Sequence, residues 1–229
     1  AYPMRGKGGG EGAKRASGEG ADARGLNRMM EMVNGTRLGV AMMGLGIARR
    51  CFLESAIWAH RRMAKGRLLA DLPLVRQGLV DLLVDLEGSM ALGFATASID
   101  SSDKDDRTLR RAITAATKAR LSRFGVQAAT YTVELHGGNG YCEDWGLTRQ
   151  LRDAQCNPIW EGTENICYLD TLRVMRDEYA VGVVVNRITH ALRTSRNEGF
   201  SFAKPALDFI MRAQEQLLRS VRYKPFSPT

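Results

Sequence analysis

From Leu26 to Gly66 the chain runs about 40 residues without a proline, and that stretch is dense in Met, Leu, Ala, Ile and Arg. Proline breaks a helix interior because it lacks the N–H and its ring clashes with the preceding turn. Its absence from a run of good helix formers predicts one long helix starting at Leu26. The apolar positions between Met29 and Ile57 fall on nearly every face, the pattern of a helix buried among neighbours. Five methionines, Met29, Met30, Met32, Met42 and Met43, are expected to belong to that core. Gly35, Gly39, Gly44 and Gly46 would each weaken an isolated helix by about 1 kcal/mol. Their expected use is close approach of a second helix or of a ligand.

The rest of the chain repeats this texture. Asp71-Leu72-Pro73 restarts it, with Pro73 in a first turn. Leu74, Leu79, Leu82, Leu83, Leu86 and Met90 then recur at helical spacing as far as Ile99. A polar turn is expected over 100–107; its acids lack the glycine and final glutamate of a calcium loop. A third helix is expected from Thr108 to His136, stopped by Gly137-Gly138-Asn139-Gly140. Beyond it come a loop with a short helix over 141–160, a helix from Glu161 to about Arg176, and weaker helices over 179–195 and 204–222. The run VGVVV (181–185) has strand composition, but its surroundings read as helical. The fold class is all-α: a four-helix bundle over 26–176, a flexible Gly-rich segment over 1–25, and a helical extension over 177–229.

A net charge of +8 permits nucleic acid, an anionic membrane or a phosphorylated ligand as partner, without choosing among them. Cys51, Cys142, Cys156 and Cys167 form no CxxC pair and are expected to be buried free thiols. His60, His136 and His190 are scattered, so no metal site is expected. No apolar run is long enough for a membrane span, and the N-terminus lacks the apolar core of a signal peptide.

Three elements stand at close spacing in residues 134–166: Gly137-Gly138-Asn139-Gly140-Tyr141, then Arg152-Asp153-Ala154, then Trp160-Glu161-Gly162-Thr163. Together they resemble the acyl-CoA dehydrogenase family, whose GGxGY, RDA and aromatic-Glu-Gly-Thr elements keep the same separations. Upstream, MVNGTRLGVA (32–41) resembles the first helix of that family's C-terminal domain. The segment from His60 to Leu74 resembles its R-x-x-F-G-x-x-L stretch. Trp160, Asn165 and Pro73 resemble the branch that includes the bacterial alkylation-response (AidB-type) proteins.

The resemblance implies FAD-dependent α,β-dehydrogenation of an acyl-CoA thioester. Glu161 is then the base that removes the α-proton. Such a carboxylate works best in a dry pocket, which brings its pKa towards the working pH. Trp160 and Ile159 are expected to exclude water, and Gly162 to let the ligand come close. Read alone, Glu161 also suits a helix N-terminus. Arg37 aligns with an active-site arginine near the substrate, and a buried structural ion pair is an equal reading. Thr163 and Asn165 align with flavin or ADP contacts, and both also suit helix capping. Gly137 and Gly138 align with a turn that approaches FAD from a neighbouring subunit. Arg62 aligns with an arginine on the FAD phosphates across a dimer interface, against the plainer reading of a solvated helix-end arginine. Glu134 replaces a glutamine common in the family, and Lys65 stands where the family usually has phenylalanine.

The family architecture has a helical domain and a β-domain upstream of this bundle, so this chain by itself is expected to hold FAD weakly. Homodimers or homotetramers are implied, with electron-transfer flavoprotein as acceptor. Mitochondrial matrix and bacterial cytoplasm both suit the chemistry. Two other readings remain: a DNA-binding role, and an oligomerisation domain that has lost its chemistry. The first rests on Arg187, Arg193, Arg196, Lys204, Arg212, Arg219, Arg222 and Lys224 against four acids in 178–229.

Overall fold

In the computed structural model the proline-free run is a single helix, α1 (Gly18–Ala59). The structure describes residues 18–196 and the single positions Pro205, Asp208, Arg212, Glu215 and Gln216. α1 begins eight residues before the expected Leu26, so part of the Gly-rich segment is helical and not a flexible linker. A helix already nucleated extends at little cost through positions such as Ala21 and Ala23. Residues 1–17 of that segment lie outside the described residues.

α1 ends at Ala59, short of the expected Gly66, because a small antiparallel hairpin intervenes. Strand β1 (Met63–Ala64) pairs with β2 (Arg67–Leu68). Lys65 (φ 50°) and Gly66 (φ 76°) form the turn between them. Two consecutive positive φ values are what a two-residue type I′ hairpin requires.

α2 (Pro73–Ala97) carries its proline in the first turn, where the missing N–H costs nothing. α3 (Lys104–His136) starts four residues before the expected Thr108. The Asp106 amide donates to Asp103 Oδ1 at 2.7 Å, so Asp103 caps the helix. Short elements follow: α4 (Gly138–Tyr141), α5 (Leu147–Cys156), α6 (Glu164–Val174) and α7 (Glu178–Arg196). The VGVVV run lies within α7, as its surroundings predict.

The three long helices run up, down and up, with α5 and α6 packed against α3. α1 and α3 are parallel and touch backbone to backbone. A Cβ on Gly44 would sit 2.7 Å from the Leu121 carbonyl oxygen, and one on Gly125 would sit 2.8 Å from the Gly44 carbonyl oxygen. Of the four α1 glycines expected to allow close approach, only Gly44 does so. Gly35, Gly39 and Gly46 have open space where a Cβ would stand.

Around this crossing the core is Ala41, Leu45 and Ala48 of α1, Leu82 and Leu86 of α2, and Leu121, Phe124 and Ala128 of α3. Small residues on the two parallel helices let them close up, and leucines from α2 fill the flank. Buried hydroxyls bridge the helices: Ser55 to Thr132 at 2.9 Å and Thr96 to Thr117 at 3.1 Å. α7 docks through buried Ala180 and Val181 and through Tyr179–Asp105 and Arg187–Asp106. The acids expected in a solvated turn thus cap α3 and anchor α7.

Two expectations about burial are corrected. Of those five α1 methionines, Met42 packs against the core cluster, while Met29, Met32 and Met43 are 40%, 55% and 51% exposed. All four cysteines are free, but Cys142 and Cys156 are exposed. Burial pushes the Cys51 thiol up to about 11. Among the described residues no helix is long and apolar enough to cross a membrane, and no cluster is suited to a metal ion.

Candidate active site

The chain leaves α5 through Asn157 and Pro158 and reaches α6 by a sharp turn. Glu161 has φ 57° and Gly162 has φ 100°. Neither value is helical, so α6 starts at Glu164 and not at the expected Glu161. A left-handed conformation is uncommon for a residue with a side chain and costs on the order of 1–2 kcal/mol. Glu161 is therefore not a helix-end acid placed for the macrodipole.

Two buried cations hold the turn by its backbone. Arg37, on α1, donates from Nε to the Glu161 carbonyl at 3.0 Å. Lys118, on α3, donates from Nζ to the Gly162 carbonyl at 2.6 Å. Both side chains are buried, and each lies seven residues before its helix's contact glycine, Gly44 or Gly125. Desolvation lowers the Lys118 pKa from its ordinary value.

Arg37 also donates from Nη1 to Asp170 at 2.6 Å and to Asn34 at 3.2 Å. Arg111 grips the same carboxylate with two hydrogen bonds, at 2.7 and 3.0 Å. Burial pushes the Asp170 carboxyl upward, but the bonds from Arg111 and Arg37 outweigh it and leave the pKa below its ordinary value. Arg37 is thus a buried ion-pair partner and also a neighbour of Glu161. The buried ion pair expected as one reading of Arg37 is present in the geometry.

The Glu161 carboxylate itself has no hydrogen bond or ion pair among the described residues. It lines a cavity of about 350 Å³ whose walls include Met30, Val33, Ile166 and Leu169, with Arg37 and Arg173 beside it. Asp170 completes the lining, so the Glu161 carboxylate faces apolar side chains together with two cations and one acid. Gly162 is needed within the protein itself. A Cβ there would lie 3.3 Å from Ile166 Cγ2 and 3.5 Å from Arg37 Nη2.

The other expected site residues fall elsewhere. Trp160 lines a second cavity of about 500 Å³ with Met43, Ile47, Arg50 and Asn157. It is 47% exposed and Ile159 is 66% exposed, so within this chain neither shields Glu161 from water. Thr163 occupies the N-cap position of α6 but makes no side-chain cap bond, and Asn165 is exposed on the first turn.

Arg62, Glu134, Gly137 and Gly138 gather at the far end of the bundle. The Arg62 guanidinium stands 5.9 Å from the Trp58 ring centroid, and Trp58 stacks on His136 at 4.6 Å. His136 precedes Gly137 (φ 61°), where a Cβ would meet nothing. Arg37 and Trp58 are about 30 Å apart along α1 at 1.5 Å per residue. The two groups therefore serve different places.

Sequence reasoning missed Lys118, Asp170 and Arg111. Lys118 and Arg111 share one face of α3, two turns apart, and both reach across to the segment 162–170. Of the basic residues in the C-terminal segment, Arg187 is paired with Asp106. Lys204, Arg219, Arg222 and Lys224 lie outside the described residues.

Comparison with known proteins fits this geometry. Residues 23–175 match the family model of the acyl-CoA dehydrogenase C-terminal domain. The chain is 33% identical to acyl-CoA dehydrogenase family member 11 of Caenorhabditis elegans, over 87% of this chain and 34% of that protein. It is 34% identical to the putative acyl-CoA dehydrogenase AidB of Escherichia coli, over 71% of this chain and 30% of that protein. The crystal structure of Caenorhabditis elegans ACDH-11 in complex with C11-CoA superposes with a TM-score of 0.68 at 30% identity, covering 86% of this chain and 36% of that one. The chain spans about a third of the length of these relatives. With its helical bundle, its strained Glu-Gly turn and this match over most of its length, the chain belongs to the acyl-CoA dehydrogenase family, in the C-terminal domain of that family.

Proposed function

We propose that Glu161 is the base in the α,β-dehydrogenation of an acyl-CoA thioester. One observation carries this reading: Arg37 and Lys118 fix Glu161 and Gly162 by their carbonyls, while the Glu161 carboxylate stays unpaired at a cavity of mixed apolar and charged walls. The held backbone limits where the carboxylate can move, which is the positioning that proton abstraction needs. The α-proton passes to a Glu161 carboxylate oxygen. Met30, Val33, Ile166 and Leu169 supply the apolar part of the wall around it.

The family implies FAD, and the exposed groups of this chain suit it. Arg62 is exposed and steadied over Trp58, and a guanidinium binds phosphate well. Gly137 and Gly138 leave the backbone open to close approach. Glu134 is exposed on the last turn of α3, and Thr163 and Asn165 are exposed at the start of α6, beside the proposed base. A flavin held there would supply the acceptor for the β-hydrogen, which leaves as hydride. The distance of about 30 Å between the two groups argues that Arg62, Glu134, Gly137 and Gly138 serve the site of a second copy. The working form is then a homodimer or a multiple of it, and electron-transfer flavoprotein is the proposed acceptor.

The test is an absorbance spectrum of the flavin-loaded protein titrated with acyl-CoA thioesters. Bleaching in the wild type that is lost in Glu161→Gln supports the assignment. Equal bleaching in both would remove Glu161 from the role of base.

A further inference from the structure

We propose that a cavity lined by Arg107, Arg110 and Arg111, between α1 and the start of α3, is a binding site for a phosphate group. The cavity measures about 390 Å³, and Glu31, Asn34, Gly35, Ser101 and Thr114 complete its lining. Three guanidiniums face one carboxylate, that of Glu31, so the lining carries a net positive charge.

The arginines are only partly used within the protein. Arg107 donates from Nη1 to the Ser101 and Ser102 carbonyls at 3.1 and 2.9 Å. Arg110 donates from Nη1 to Ser101 Oγ at 3.3 Å. Neither has a carboxylate partner among the described residues. A guanidinium has five N–H donors, so most of theirs remain free. Arg111 commits its two terminal nitrogens to Asp170. That carboxylate is shared with Arg37 and, at 3.9 Å, with Arg173, so one acid serves three cations. Among the described residues the excess charge of Arg107 and Arg110 has no acidic partner, and planar guanidinium donors match phosphate oxygens.

Placement narrows the source. Glu31, Asn34 and Gly35 of this cavity alternate along α1 with Met30, Val33 and Arg37 of the Glu161 cavity. The two cavities therefore flank the same turns, about one helix width of 10 Å apart. Asn34 and Arg111 line one, and through Arg37 and Asp170 they connect to the turn that lines the other. A thioester whose reacting end lies at Glu161 carries phosphates at its nucleotide end, and those can reach this site. A free phosphate is the other source of the same chemistry. Assignment to the thioester rests on the function proposed above; the phosphate site itself does not.

Calorimetric titration of the full chain tests it, because it needs neither flavin nor turnover. The probes are coenzyme A, dephospho-coenzyme A (which lacks the 3′-phosphate) and inorganic phosphate, against wild type, Arg110→Met, Arg107→Met and Arg110→Lys. Coenzyme A binding tighter than its dephospho form and weakened roughly tenfold by each Met variant would assign the site to the nucleotide end. Arg110→Lys should restore part of that loss. Inorganic phosphate bound with the same variant sensitivity, with no preference for coenzyme A over its dephospho form, would assign it to a free phosphate. Binding of all three probes that is absent, or unchanged in every variant, overturns the proposal. Variant-sensitive binding alongside a flavin that no thioester bleaches would sink the dehydrogenase reading and leave the phosphate site standing.

Discussion

Arg37 holds Glu161 by the peptide carbonyl, at 3.0 Å, and leaves the carboxylate unpaired. The position of Glu161 and its proposed chemistry therefore rest on different atoms of one residue. Glu161→Gln should retain the wild-type fold, with unfolding free energy changed by less than about 0.5 kcal/mol. It should lose roughly 10²–10⁴-fold in thioester oxidation. Urea unfolding and flavin bleaching, run on the same preparation, check both halves. Arg37→Met should differ in acting on the fold as well. It strips a partner from buried Asp170 and releases the turn, and should cost about 2 kcal/mol or more of stability.

Asp170 makes stability depend on acid. Its folded pKa lies below its ordinary value of 3.8, because Arg111 and Arg37 together outweigh the burial that opposes them. As pH falls, the unfolded chain takes up this proton before the folded one does. The contribution is complete above about pH 4 and is lost as pH falls through the folded pKa. Asp170→Asn should be less stable at pH 7 and should show a shallower acid limb. An acid limb identical to wild type would remove Asp170 as its source.

The glycines of α1 should separate by neighbour. A Cβ on Gly44 would press into the Leu121 carbonyl at 2.7 Å, so Gly44→Ala should destabilise the fold by about 1–3 kcal/mol. Gly39 sits in the same helix with open space, and Gly39→Ala should stabilise it by up to about 1 kcal/mol. Equal effects in urea unfolding would show that α1 and α3 do not meet at Gly44.

The four thiols should react in two classes. Cys142 and Cys156 are exposed; Cys51 and Cys167 are buried. With its pKa pushed to about 11, Cys51 is thiolate to roughly one part in a thousand at pH 8. A disulfide reagent should titrate two thiols promptly in the folded protein and four in denaturant. Four prompt thiols in the folded protein would contradict the packing around Cys51 and Cys167.

The long helices were legible because proline, helix formers and apolar spacing act locally, and each leaves its mark within a few turns. The family was legible because Gly137-Gly138, Arg152-Asp153-Ala154 and Glu161-Gly162-Thr163 sit at fixed intervals. The left-handed turn at Glu161 was not. A glutamate before Gly-Thr reads locally as the start of a helix, whereas Arg37 and Lys118, distant in sequence, hold the turn by its carbonyls. Lys118 and Asp170 were missed for the same reason, since a contact across the bundle leaves no periodic trace along the chain. The hairpin turn at Lys65-Gly66 was written in the sequence, but two residue pairs of strand are too short for an alternation to register.

Gly44 and Gly125 work as an alignment pin. Cations seven residues before each glycine meet at the Glu161–Gly162 turn, and Thr132, seven residues after Gly125, bonds to the carbonyl of Cys51, seven residues after Gly44. The pin touches no reacting group, yet it sets the vernier along which every layer of α1 and α3 is read. Slippage by one turn, about 5.4 Å, would leave both helices intact and carry Arg37 and Lys118 out of step with one another. The geometry of the proposed base is thus calibrated two turns away, at a place where neither helix has a side chain.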